Sequence, residues 1–182
     1  MLTASILDQP KVCMLKPRKS GKRERKIDKA CRVGRTYEDF CKFMTDHPAV
    51  HEVEMDSVIG RIGGKVLLTL IFPSSELMLA FLRERNTAQS VIERISFLYE
   101  HLGSKNFHYL FPVLLTDNGS EFSDPIAIEQ APDRTERTRI FYCDAMASYQ
   151  KPHVERNHEF IRRILPKGSS FDDLTQEDIN LL

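Results

Sequence analysis

The chain has no tryptophan, only four cysteines in 182 residues, a formal net charge of zero and no long apolar run. Without about eighteen consecutive apolar residues it holds no ordinary helical membrane span. No basic segment followed by an apolar one opens the chain, which argues against a secretory leader. Cys13, Cys31, Cys41 and Cys143 show neither CxxC spacing nor the density of a disulfide-stapled secreted domain, so a cytoplasmic location is expected. Cys31, Cys41, His47 and His51 match the spacing of no zinc ribbon or finger. Internal repeats are absent, and the one compositionally biased tract is basic.

The zero net charge is unevenly built. Residues 11–35 carry eleven lysines and arginines against two acids, whereas 36–182 carry fifteen against twenty-three. Residues 1–35, KPRKSGKRERKIDKACRVGR included, have no periodicity that could bury a face and are expected to form a flexible basic arm. With 41% hydrophobic residues overall, 36–182 suffice for one domain with a real core and are too few for two large ones. Such an arm suits phosphates, and such a body suits carboxylates gathered around cations.

Apolar spacing then predicts the elements. Tyr37, Phe40, Cys41 and Met44 stand at i, i+3, i+4, i+7 behind a Thr36 cap, a short helix stopped by Pro48. HEVEMDSVIG alternates, with Val53 and Met55 on one face and Glu52, Glu54 and Asp56 on the other, which predicts a strand with an acidic face. KVLLTLIF reads as a strand covered on both faces, and ELMLAFL as a third strand. Thr87 caps a helix with Val91, Ile95, Leu98 and Leu102 in a stripe, ended by Gly103 at C′. YLFPVLLTDNG and TRIFYCD read as two further strands. Pro152 opens a helix with Val154, Ile161 and Leu165 along one side, and a last helix starts near Leu174 and runs to the end of the chain. The order βββαββ, with these helices, predicts an α/β fold with a mixed sheet flanked by helices.

Three acids stand where such a fold can gather them: Asp56 on an early strand, Asp117 at the carboxyl end of another, and Glu155 in the first turn of a helix. Sites in open α/β sheets collect at the carboxyl ends of strands, and the Asn118-Gly119 turn is expected to leave the Asp117 carboxylate exposed there. Hard oxygen donors suit Mg²⁺ or Mn²⁺, and a pair of such ions is the usual device for displacement at a phosphodiester. Without a cation, clustered carboxylates raise one another's pKa.

EVEMDSVIG, LLTDNGSEF and YQKPHVERNHEFIRRILPKG, in that order, resemble the catalytic core of DDE transposases of the insertion-sequence-thirty family, whose fold is ribonuclease-H-like and shared with retroviral integrases. GRTYEDF, KVLLTL, FLRERNTAQSV, RTRIFYCD and SFDDLTQEDIN extend the resemblance over about residues 34–182. It implies an integrase-type core over 36–182, with Asp56, Asp117 and Glu155 as catalytic, metal-binding triad and two Mg²⁺ or Mn²⁺ ions in the active complex. The implied activity is cleavage at the ends of a bacterial insertion sequence followed by strand transfer, with DNA as partner, a multimer as the acting form and no nucleotide cofactor. Further segments on both sides, including an N-terminal DNA-recognition region, are also implied, so the chain is expected to be truncated. Where the family commonly shows CDP and SAPYQKG, this chain reads CDAMASYQKPHVER, departing at Ala145, Ser148, Pro152, His153 and Arg156. An inactive remnant that keeps the fold and binds DNA weakly is the alternative reading, and a ribonuclease-H-like nuclease that cleaves without joining is a third.

Lys16, Arg18, Lys19, Lys22, Arg23, Arg25 and Lys26 in the arm are candidate phosphate contacts. His158 and Arg162, three and seven residues after Glu155, share or border its helix face and are further candidates beside the metals. Arg162, Arg163 and Lys167 equally suit the negative end of the helix dipole.

Overall fold

A computed structural model describes residues 30–181. The basic-arm candidates Lys16 to Lys26 lie outside the described residues. A 3₁₀ turn (Ala30–Arg32) precedes α1 (Tyr37–Asp46), then β1 (Glu52–Ile59), β2 (Val66–Phe72), β3 (Leu77–Arg83), α2 (Ala88–Leu110), β4 (Val113–Thr116), α3 (Pro125–Glu129), β5 (Arg139–Tyr142), α4 (Pro152–Ile164) and α5 (Gln176–Asn180). The strands form one sheet in the order β3-β2-β1-β4-β5. β1 pairs antiparallel with β2, and β2 with β3; β4 runs parallel to β1 and to β5. This is the mixed, helix-flanked sheet expected from the sequence.

Period-two alternation assigns each strand residue a side. Val53 and Met55 of β1, Leu68, Leu70 and Phe72 of β2, Leu114 of β4 and Ile140 and Tyr142 of β5 pack with Val91, Ile95, Leu98 and Phe107 of α2. Burying each large apolar side chain of that layer contributes roughly 1.5–3 kcal/mol. On the opposite side α1 covers the β4–β5 end through Phe40 against Val113, Leu115 and Phe141. There, too, Val58, Leu67 and Leu82 meet Ile161 of α4, Phe171 of the following loop and Ile179 of α5. Glu54, Asp56 and Thr69 belong to this second side, so the acidic face of β1 lies beneath α4.

Capping places the helix starts. Thr36 and Asp39 exchange capping-box hydrogen bonds at α1, and Thr87 with Ser90 does the same at α2. Several sequence expectations need correction. Gly103 does take a left-handed backbone (φ 73°), but helix resumes beyond it to Leu110, because Phe107 and Phe111 add fully buried rings to the core. The Tyr109-Leu110 pair therefore belongs to α2, and β4 holds only four residues. The short α3, capped by the Asp124 side chain, lies between two predicted strands, where the apolar spacing predicts no helix. The last helix is five residues long, starts at a Thr175 capping box and ends at Asn180.

Candidate active site

Three elements meet where the site was expected. β1 and β4 run parallel, side by side, with Met55 opposite Thr116, so Asp56 and Asp117 emerge from adjacent strands at the same end of the sheet. α4 crosses this end on the Glu54–Asp56 side and carries Glu155 in its first turn. Asp117 Oδ1 accepts the Gly119 N–H at 2.9 Å, a turn bond that folds the chain back and leaves Asp117 half-buried rather than exposed. Asn118 donates its side-chain amide to the Cys143 carbonyl at 2.7 Å, tying the end of β4 to the chain leaving β5.

Electrostatics show that the three carboxyls share one neighbourhood. Burial pushes the Asp117 carboxyl above the usual carboxylate range, and the Asp56 charge adds to it. Glu155 is raised as well, first by partial desolvation and then by Asp56, with a smaller contribution from Asp117. These are the directions expected of like charges brought together. Burial also pushes the adjacent Cys143 thiol up to about 12, so it is a neutral thiol at physiological pH.

The cation within this cluster is Lys151. Its side chain is almost wholly buried, and its ammonium donates to Asp56 Oδ2 at 2.9 Å and to the Met55 carbonyl at 3.1 Å. Asp56 Oδ1 accepts the Ser57 N–H at 2.7 Å, so both of its oxygens have donors. Among the described residues no group of three or more His, Cys, Asp or Glu side chains is already arranged as a metal site. The donor set fits a hard divalent ion nonetheless: three carboxyls, two of them perturbed by the third, and an ammonium standing where positive charge is needed. Asp56 can join such a set once Lys151 moves off it.

Sequence reasoning missed Lys151 and Glu54. The Glu54 carboxylate, 2% exposed, accepts the Val154 N–H at 2.7 Å and lies 2.9 Å from His153 Nδ1. Gln150, also buried, bridges backbone and side chain of Asp144 and closes the loop that leads into α4. The period-two pattern put Glu54 on the correct face, yet nothing local to it signals the helix above.

The two helix candidates for DNA contact are turned toward the protein. His158 Nε2 lies 3.0 Å from Thr69 Oγ1 on β2, and burial lowers its pKa, so the ring faces the sheet as a neutral imidazole at physiological pH. Arg162 donates through Nη2 to the Ile59 carbonyl at 2.7 Å, while its buried Nη1 has no hydrogen-bond partner among the described residues. Both side chains are held against the sheet beneath α4. A concavity of about 620 Å³ beside β5, lined by Arg35, Arg134 and Arg139 together with Glu129 and Glu136, includes none of the three acids.

No family model matches the chain. It is 27% identical to "Putative integrase ORF3" of Spiroplasma virus SpV1-R8A2 B over 128 residues, which span 70% of this chain and 38% of that protein. It is 25% identical over 151 residues to the "Probable transposase for insertion-like sequence element IS1161" of Streptococcus salivarius, covering 79% of this chain and 39% of that protein. The chain thus spans less than two fifths of the curated integrase and transposase relatives it matches. Among solved structures it is similar to the catalytic core domain of BIV integrase (TM-score 0.40, 18% identity, 60% of this chain and 64% of that one). It is also similar to a chain of the simian T-cell lymphotropic virus intasome in complex with PP2A regulatory subunit B56 gamma (TM-score 0.44, 16% identity, 62% and 38%).

Proposed function

We propose that the chain is the catalytic core of a transposase of the insertion-sequence-thirty kind, which cleaves DNA strands and transfers them with Asp56, Asp117 and Glu155 as its metal-binding triad. The observation that carries this reading is the convergence of three acids drawn from β1, the end of β4 and α4, with Asp117 and Glu155 each raised first by burial and then by the Asp56 charge. Similarity to one integrase and one transposase supports the same class of reaction.

Two Mg²⁺ or Mn²⁺ ions bound there would supply charge neutralisation at a phosphodiester and activation of the attacking oxygen. The chain's own residues do the holding. Asp56 and Asp117 are fixed by paired strands, and Glu155 comes from a helix whose first turn is pinned to β1. DNA is the partner, met in part by Lys16, Arg18, Lys19, Lys22, Arg23, Arg25 and Lys26 through their charge. A multimer is the acting form.

The test is nicking and strand transfer on duplex DNA carrying an insertion-sequence end, with Mg²⁺ or Mn²⁺. Wild-type protein is expected to be active and Asp117→Asn to lose activity by about a thousandfold or more, as loss of a catalytic group typically does. Activity that persists in Asp117→Asn sinks the reading, and cleavage confined to RNA–DNA hybrids would replace it with a ribonuclease. One observation favours a second reading, an inactive remnant that keeps the fold: Lys151 already neutralises Asp56. Such a remnant binds neither Mn²⁺ nor Mg²⁺ at the triad.

A further inference from the structure

We infer that Glu54 is a positioning residue for Glu155, a cap supplied to α4 from the sheet; the inference rests on reading Asp56, Asp117 and Glu155 as the triad. A helix leaves its first N–H groups without intrahelical acceptors, and an N-cap side chain normally takes the N–H of the second or third helical residue. α4 has no such local device: its N-cap is Lys151, whose side chain makes no capping bond and reaches instead to Met55 and Asp56. Pro152 and His153 fill the first two helical positions, and Val154 is the third.

The missing acceptor comes from β1, a hundred residues earlier in the chain. Glu54 Oε2 takes the Val154 N–H at 2.7 Å, and Oε1 lies 2.9 Å from His153 Nδ1, which donates in its Nδ1–H form. Both oxygens of a carboxylate only 2% exposed are thereby spent on one helical turn. A negative group at a helix N-terminus is also favourable to the helix dipole. Because Val154 precedes Glu155 directly, fixing its N–H fixes the height and rotation of the turn that presents Glu155. Glu54 and Asp56 share one face of β1, and β1 is paired on both edges. One rigid strand therefore bears the first acid of the triad and, two residues away, the tether of the third.

The experiment compares wild type, Glu54→Ala, Glu54→Gln and Asp117→Asn by hydrogen exchange at the Val154 and Glu155 amides without metal, by Mn²⁺ titration, and by strand cleavage at saturating DNA. In Glu54→Ala, exchange at the two amides accelerates and Mn²⁺ affinity falls about 10–100-fold, as for other residues that orient metal ligands. Its cleavage rate falls about a hundredfold, the usual cost of misplacement by an ångström, while DNA affinity stays within about twofold. Glu54→Gln keeps an oxygen for the Val154 N–H and restores slow exchange and most of the Mn²⁺ affinity. A folded Glu54→Ala protein with wild-type exchange and affinity overturns the inference, as does a Gln variant no better than Ala. If Asp117→Asn is impaired and Glu54→Ala is not, the positioning role alone fails; if Asp117→Asn binds Mn²⁺ like wild type, the triad reading fails and takes this inference with it.

Discussion

Lys151 offsets only part of the negative charge of the three acids, and each charge depends on the others. Removing the ammonium leaves Asp56 facing Asp117 and Glu155 uncompensated, and it clears one Asp56 oxygen for a metal. Lys151→Met is therefore expected to bind Mn²⁺ about tenfold more tightly than wild type in calorimetric titration, the effect of one charge interaction of roughly 1.4 kcal/mol. Equal or weaker binding would contradict this. By the same logic Asp117→Asn removes repulsion and desolvation, so the metal-free variant should melt above metal-free wild type, and Mn²⁺ should raise the Tm of wild type alone. The placement of Asp56 within a strand, of Asp117 just past a strand end and of Glu155 in a first helical turn was legible in the sequence, because a local pattern reveals such positions. Glu54 looked no different from Asp56 in that pattern. Whether a face-aligned carboxylate holds a metal or a helix depends on what packs above it, and that is a long-range fact.

The starts of α1 and α2 were readable because a local cap there precedes a longer apolar stripe. Thr36 accepts from the Asp39 N–H, and Asp39 Oδ2 in turn accepts the Thr36 N–H at 2.8 Å, all within four residues. Thr36→Ala should cost about 1 kcal/mol in denaturant unfolding. The Asp39 carboxyl is held below the usual range by the Thr36 side chain and then its backbone, and Asp178 is lowered by the equivalent bonds from Thr175, backbone first. A lowered folded-state pKa gives stability that is complete above the unfolded value, about 4, and lost as pH falls through the folded one. Asp39→Asn and Asp178→Asn should accordingly flatten the fall in Tm below pH 4 and leave its shape near neutrality unchanged; an acid limb as steep as wild type would contradict it. Helix ends were harder to read. Gly103 adopts the positive φ that its position signalled, but buried Phe107 and Phe111 carry the helix past it. The five-residue α3 is too short for periodicity to register, and β4 was read as a strand that starts too early because Tyr109 and Leu110 belong to α2.

The number and order of strands followed from apolar runs, whereas their spatial order did not, because pairing β4 between β1 and β5 brings together residues about sixty apart. That pairing sets Asp56 beside Asp117, and α4 brings Glu155 near them. The separation of a basic arm from an acidic body has its own consequence: if the seven arm cations meet phosphates, replacing them with glutamine should reduce the slope of log K against log salt by roughly 6. An unchanged slope would place DNA contact elsewhere. The account's central claim, that Asp56, Asp117 and Glu155 act as one metal site, is tested most directly by Mn²⁺ titration of the wild-type chain and of Asp56→Asn, Asp117→Asn and Glu155→Gln. It predicts two bound ions in wild type, with each substitution weakening binding at least about tenfold; three variants that bind as wild type does would contradict it.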